Sequence, residues 1–272
     1  MTAIVDYNQL WRLLRQRQGG RTVDWDRRAA SFHRAVAGTS AEVEAQVRAL
    51  GLRPTDTVLD MGAGTGRFAV PLARHAAHVT ALEPSAGMVA YLEQGMADAG
   101  LTNYSVVRRR WEDVEVGRDI PVHDVVFASN SLGFDDLAAG LEKIDAAARR
   151  AVHLLWFAGR ERHPMDAELL RRLGRDGQER FVPDYRFIVN VLHVMGIYAN
   201  VSVEKTTSRQ VYDSPDDAVA WWCERNDISS SETEILRTYL AETLEPTDDG
   251  RFAAMRTGWR ARIWWEKEDS GA

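Results

Sequence analysis

The stretch Val58-Leu59-Asp60-Met61-Gly62-Ala63-Gly64-Thr65-Gly66-Arg67-Phe68-Ala69 decides how this chain of 272 residues folds. Val58-Leu59-Asp60 reads as a short apolar strand that delivers a carboxylate, and a helix is expected from about Arg67 to Ala76. Between them Gly62, Gly64 and Gly66 stand at alternate positions. Glycines there let the backbone turn with positive φ and let a ligand touch the main chain without meeting a Cβ. The helix start behind them offers N–H groups that have no partner within the helix. This is neither the G-x-G-x-x-G dinucleotide fingerprint, since glycine and arginine fill its fifth and sixth positions, nor a P-loop, since no Gly-Lys-Ser/Thr follows.

The same alternation repeats on both sides of the loop. Strands are expected at His78–Leu82, Ser105–Val107, Val125–Ala128 and Val152–Phe157, with helices at Ala86–Ala99 and Leu137–Ala148. Strands separated by helices of this length make βαβ units and a parallel sheet. Upstream, Leu10, Trp11, Leu13 and Leu14 form an apolar helical stripe stopped by Gly19-Gly20. Further helices are expected at Asp26–Val36 and Ala41–Leu50, the latter with a Thr39/Glu42 capping box. Downstream, helices are expected at Met165–Leu173 and Tyr185–Met195, and strands at Val201–Glu204 and Arg209–Tyr212. Pro215 then opens a helix, Ser231 and Glu234 cap the next, and Ile263-Trp264-Trp265 closes as a strand. The expected fold is α/β: a Rossmann-like, doubly wound, mostly parallel sheet with an N-terminal helical cap and a helical lid insertion.

The glycine segment resembles the first motif of class I S-adenosylmethionine (SAM)-dependent methyltransferases, D/E-x-G-x-G-x-G. The resemblance covers about Gly51 to Phe157 and is carried by four landmarks. It implies that Asp60, Gly62, Ala63, Gly64 and Gly66 wrap the amino-acid end and sulfur region of SAM. The second landmark is His78-Val79-Thr80-Ala81-Leu82-Glu83-Pro84-Ser85. There the resemblance makes Glu83 the acceptor for both ribose hydroxyls, with Pro84 beside it and Met88 packing near the adenine. The third departs from the pattern, because Arg110 occupies the position where relatives have an acid. Glu112 or Asp113 can replace it, with Trp111 supplying a backbone N–H and a stacking face; a core Trp111 beside solvated acids is the other reading. The fourth, His123-Asp124-Val125-Val126-Phe127-Ala128-Ser129-Asn130-Ser131-Leu132, puts Ser129 and Asn130 at a strand end facing the pocket. More loosely, Trp25-Asp26-Arg27-Arg28-Ala29 is similar to the start of small-molecule methyltransferases of the ubiquinone/menaquinone-biosynthesis group.

The domains implied are a helical cap over 1–50, a SAM-binding core over 51–158, a helical lid or substrate insertion over 159–197, and a C-terminal completion of the sheet over 198–272. The lid would carry His163, Phe181, Tyr185, Phe187 and His193. The function expected is methyl transfer from SAM to a small-molecule acceptor, leaving S-adenosylhomocysteine, by in-line displacement that needs mainly alignment and exclusion of water. No catalytic residue is assigned; His33, His163, His193 and Tyr7 are the candidates for a general base. Two other functions fit the same motifs: a non-catalytic, SAM-binding regulatory protein, and a methyltransferase acting on protein or tRNA.

Composition narrows the partners. A net charge of −6 argues against a dedicated nucleic-acid binder, although residues 1–50 carry +3 and residues 213–250 carry −9. Arg108, Arg109 and Arg110 at a strand end alternate faces and make no single basic stripe. A lone cysteine, Cys223, excludes an internal disulfide framework and any zinc site with two thiolates, and it reads as a small buried hydrophobe. No histidine pattern points to a metal. No apolar run approaches the ~20 residues of a membrane span, so a cytoplasmic protein is expected.

Overall fold

The computed structural model describes residues 5–17, 23–36, 40–159, 164–175, 183–226 and 228–267. Two compact units emerge: Met1–Ala158 with Pro183–Val203 and Ala261–Ala272, and Gly159–Val182 with Glu204–Arg260. The segment expected as one insertion, 159–197, therefore contributes its first part to one unit and its second part to the other.

In the first unit β1 (Thr57–Met61) pairs in parallel with β2 (His78–Leu82) on one side and β4 (His123–Ser129) on the other. Outside these lie β3 (Tyr104–Val107), parallel to β2, and β5 (Ala148–Phe157), parallel to β4. The sheet continues through β8 (Phe252–Glu266) to β6 (Asn200–Tyr212), giving the order β3-β2-β1-β4-β5-β8-β6. A two-residue strand, β7 (Glu245–Pro246), pairs antiparallel with β8. Strand order reverses between β1 and β4, so a crevice opens beyond their C-terminal ends. That is where the glycine stretch lies.

Alternation of side chains along the strands feeds two apolar layers. Leu59, Met61, Val126, Ala128, Val152 and Leu154 are buried with Leu137, Leu141 and Ile144 of α6 (Leu137–Ala147) and with Phe187, Ile188 and Val191 of α8 (Tyr185–Val194). On the other face Val58, Val79, Ala81, Val125 and Phe127 meet α3 (Ser40–Arg48), α4 (Ala69–His75) and α5 (Ala86–Asp98). In the second unit, α7 (Pro164–Arg172), α9 (Pro215–Asn226) and α10 (Thr233–Thr243) enclose Leu169, Tyr212, Trp222, Leu236, Tyr239 and Leu240. Cys223 there is half-buried, its Sγ 3.9 Å from Thr233 Oγ1. Among the described residues no helix is long and apolar enough to cross a membrane.

Five expectations need correction. In α1 (Tyr7–Arg17) the inward line is buried Trp11 with half-buried Tyr7 and Leu14, while Leu10 and Leu13 of the expected stripe are exposed. Trp11 selects the face: its Nε1–H donates to Phe134 O at 2.9 Å, and its ring meets Trp156 and Phe187. β5 starts four residues before Val152, because Arg149 and Arg150 turn their charges onto Asp124 and Asp56 and so fit a strand despite their polarity. β6 is one strand rather than two, and β8 begins at Phe252 rather than Ile263. Main-chain pairing between these neighbours carries them through polar stretches that break the apolar pattern. At α10 the turn is closed by Ser229, whose N–H and hydroxyl donate to Glu232, and not by Ser231 with Glu234. The Gly19-Gly20 stop, Thr39, His163 and Phe181 lie outside the described residues.

Candidate functional site

β1 leads into a loop whose shape is fixed by its own main chain. Gly62 and Ala63 both donate their N–H to Leu82 O, at 2.8 and 3.1 Å, which ties the loop to the end of β2. Gly62, Gly64 and Gly66 take φ of +75°, +56° and +83°, a region that favours glycine. The three differ in surroundings. A Cβ on Gly62 would stand 2.4 Å from Ser131 Cβ, and one on Gly66 would stand 3.0 Å from Leu92 Cα. Among the described residues a Cβ on Gly64 would meet only the Phe32 ring, at 3.8 Å. Two of the glycines are therefore required by packing and the third faces open space. The helix behind the loop starts at Ala69 rather than Arg67, since Gly66-Arg67-Phe68 forms a turn first.

Three carboxylates surround this loop. Asp60 is 2% exposed, and its Oδ2 has no hydrogen-bond partner among the described residues. Burial, with the Glu83 charge adding to it and Arg67 opposing it, pushes its carboxyl up to about 7. Glu83 is 6% exposed; its Oε2 accepts the Gly64 N–H at 3.0 Å and its Oε1 the Ser85 N–H at 2.9 Å. Burial raises the Glu83 carboxyl, and the two amide donors partly offset this. Asp26, in the first turn of α2 (Trp25–Val36), accepts from Ser85 Oγ and Gly87 N, each at 2.7 Å, and these donors hold it below the usual range.

The Asp60 environment has a consequence for stability. A carboxyl raised in the folded state binds more protons there than in the unfolded chain between about pH 4 and 7. Its contribution is full below pH 4 and is lost as pH rises through 7. The ligand-free protein is expected to lose on the order of 2 kcal/mol of stability through this group between pH 5 and 8. Asp60→Asn should flatten that slope, as urea melts at the two pH values would show.

The other expected residues divide into two sets. Met88 is buried and its N–H is capped by Ser85 Oγ at 3.1 Å, while Pro84 is exposed next to the cap. Ser129 is half-buried and Asn130 exposed, with Asn130 the only non-glycine of positive φ, +55°, among the described residues. Ser131 joins the loop directly by donating to Met61 O. Trp111 and Glu112 lie in a single 3-10 turn, Trp111–Asp113, held from α6 by Lys143. Lys143 Nζ sits 4.6 Å above the Trp111 ring and donates to the Trp111 carbonyl. The ring is buried in the core, whereas the Glu112 side chain is exposed beside Arg110 at 3.4 Å. Ser131, Asp26, Phe32 and Lys143 were not expected from the sequence. Only Ser131 and Asp26 lie within segments that the motifs single out.

Among the base candidates, His33 stacks on Tyr91 of α5 with ring centroids 4.4 Å apart, and its Nδ1 is buried without a hydrogen-bond partner among the described residues. Tyr7 packs edge-on against Phe187, and His193 lies exposed beside Tyr198. Among the described residues no three His, Cys, Asp or Glu side chains gather in a way that could hold a metal ion.

A family model described as "Methyltransferase domain" matches residues 58–151, from β1 into β5. A Haemophilus influenzae protein described only as "Uncharacterized protein" is 33% identical over 187 residues, covering 68% of each chain. The chain carries a methyltransferase domain. The matched stretch contains the glycine loop and the strand ends of β1 and β4, where the strand order reverses. The fold matches that of the YcgJ protein of Bacillus subtilis with a TM-score of 0.53 at 13% identity, over 84% of this chain and 98% of that one. A 23S rRNA (uracil-C(5))-methyltransferase of Methylococcus capsulatus is 41% identical over 61 residues, which is 22% of the methyltransferase and 14% of that relative.

Proposed function

We propose that this methyltransferase acts on a small molecule, and that its cofactor lies against the glycine loop, Glu83 and the start of α5. The carboxylate pair Asp60 and Glu83 beside the open flank of Gly64 carries the cofactor reading. A buried carboxylate oxygen without a partner suits a cationic group, and SAM brings an ammonium and a sulfonium. Asp60 and the Gly62–Gly66 main chain would hold the methionine end, and Glu83 would accept the ribose hydroxyls through its remaining lone pairs. Pro84, Met88, Trp111 and Glu112 would border the adenine, and Ser129 and Asn130 would face the acceptor side. SAM supplies a methyl carbon already activated by its positive sulfur for in-line displacement. The protein's part is alignment at near-attack distance and exclusion of water from the crevice.

The arginines after β3 favour a small acceptor over RNA. Arg109 pairs with Asp119 at 3.1 Å, Arg110 with Glu112 at 3.4 Å, and Arg108 stands in the field of Asp26. Each is matched by an acid, so the run offers no basic track for a phosphate backbone. With the overall charge of −6, this supports a metabolite acceptor.

Incubation with methyl-labelled SAM and fractionated cell extract tests the reading. Label is expected in one small-molecule fraction, and calorimetry on chelator-treated protein should show one SAM site per chain. Label in the RNA or protein fraction would move the acceptor to a macromolecule. SAM binding without turnover in any fraction would make the chain a SAM-responsive binder.

A further inference from the structure

We propose that Asp26 of α2 is a positioning residue for the ribose of the cofactor, acting through Ser85 on Glu83. The inference rests on the reading of Glu83 given above.

An aspartate in a helix's first turn ordinarily serves its own helix. Asp26 instead points its Oδ1 at the start of another helix, α5, accepting the Ser85 hydroxyl and the Gly87 N–H at 2.7 Å each. Ser85 is the N-cap of α5, and its Oγ takes the Met88 N–H at 3.1 Å. Donation to Asp26 fixes the Ser85 hydroxyl rotor, which leaves its lone pairs for that cap. The Ser85 N–H holds Glu83 Oε1 at 2.9 Å, while the Gly64 N–H holds Oε2. A continuous chain of hydrogen bonds thus runs from Asp26 through Ser85 and Glu83 to the glycine loop.

The packing is built around the same contact. A Cβ on Gly87 would lie 3.0 Å from Asp26 O, 3.2 Å from Asp26 Cα and 3.2 Å from Ala29 Cβ. Glycine at 87 is what lets the α2 backbone come close enough for Asp26 to reach both donors. Phe32, on the same helix, is the side chain nearest the open flank of Gly64. Helix α2 is therefore tied to both ends of the candidate cofactor cradle, and Asp26 makes the polar part of that tie.

If Asp26 only fastened α2 to α5, its loss would lower stability and weaken every ligand alike. A positioning role is confined to ligands with ribose hydroxyls. The test measures binding of S-adenosylhomocysteine and of its 2′,3′-dideoxy analogue to wild type, Asp26→Ala, Asp26→Asn, Gly87→Ala and Glu83→Ala, with dichroism and melts on each. Asp26→Ala is expected to weaken S-adenosylhomocysteine about tenfold, as for one impaired bond to a charged group, and the dideoxy analogue less than about twofold. Asp26→Asn keeps an acceptor oxygen and should restore part of the affinity. Gly87→Ala displaces the Asp26 backbone without touching its charge and should reproduce the ribose-confined loss. If Asp26→Ala does not fold, these two variants decide the matter alone.

Equal losses on both ligands, or no loss in a folded variant, would overturn the proposal. If Glu83→Ala shows a ribose-confined loss and Asp26→Ala does not, Glu83 keeps its role and the relay through Ser85 is wrong. If Glu83→Ala itself fails to distinguish the two ligands, the reading of Glu83 is wrong and the proposal falls with it.

Discussion

Glu83→Ala is expected to weaken SAM and S-adenosylhomocysteine by more than about 100-fold while the protein stays folded. Each carboxylate oxygen already accepts one backbone N–H, from Gly64 and from Ser85, and each has a lone pair left for a ribose hydroxyl. Losing a bond to a charged acceptor costs ~1.5–3 kcal/mol, less whatever water restores, and two such bonds are lost together. The alanine also releases the Gly64 amide, so the loop loses the contact that orients it. Glutamine is not a mild replacement here. Both oxygens face N–H donors, and an amide would turn its own NH2 toward one of them. Glu83→Gln should therefore bind nearly as poorly as Glu83→Ala. Calorimetry with S-adenosylhomocysteine reads both variants, and wild-type affinity in a folded Glu83→Ala would remove Glu83 from the site.

The sheet around this residue was readable because a parallel α/β core writes its pattern locally. β2 falls on His78–Leu82 as expected, and α5 starts at Ala86 behind its serine cap. Apolar strands, glycine turns and helices of regular length each leave a mark within ten or so residues. Elements stabilised by distant partners leave none. β6 crosses a polar stretch because a neighbouring strand pairs with it, and α1 buries Trp11 because Phe134 offers a carbonyl 123 residues away. The site divides in the same way. Asp60, the glycines and Glu83 belong to consecutive strand ends, so motif spacing finds them. Asp26 reaches partners 59 and 61 residues ahead in sequence, and Lys143 holds a carbonyl 32 residues behind it. Only the folded chain brings these together. The corrected α10 start has a different origin: both Ser229/Glu232 and Ser231/Glu234 satisfy a S/T-x-x-E spacing, and Ser229 is the one that bonds.

Gly64→Val separates a cofactor cradle from a mere turn, because the three glycines of the loop make opposite demands. Alanine at Gly62 drives a Cβ to 2.4 Å from the Ser131 side chain, and at Gly66 to 3.0 Å from the α5 backbone. Those two substitutions should lower stability first. At Gly64 the nearest atom is the edge of Phe32 at 3.8 Å, so a side chain meets only slight crowding from the protein itself. Its cost to the ligand-free fold is the strain of φ +56° on a β-branched residue, ~1–2 kcal/mol, with far-UV dichroism retained. The space it fills is the space proposed for the methionine end of SAM. Affinity should therefore fall at least ~100-fold, a loss of ~2.8 kcal/mol. Melts with and without ligand read this directly. At SAM one hundred times the wild-type Kd, linkage stabilises the wild type by ~2.7 kcal/mol, which for a chain of this size raises Tm by roughly 5–10 °C. Gly64→Val should show less than about 2 °C under the same conditions, starting from a slightly lower Tm. Gly62→Ala should show the reverse pattern: a larger drop in ligand-free Tm, with most of the SAM-induced rise preserved in whatever folds. A folded Gly64→Val that keeps the full wild-type shift would mean that the open flank of the loop is not where the cofactor lies.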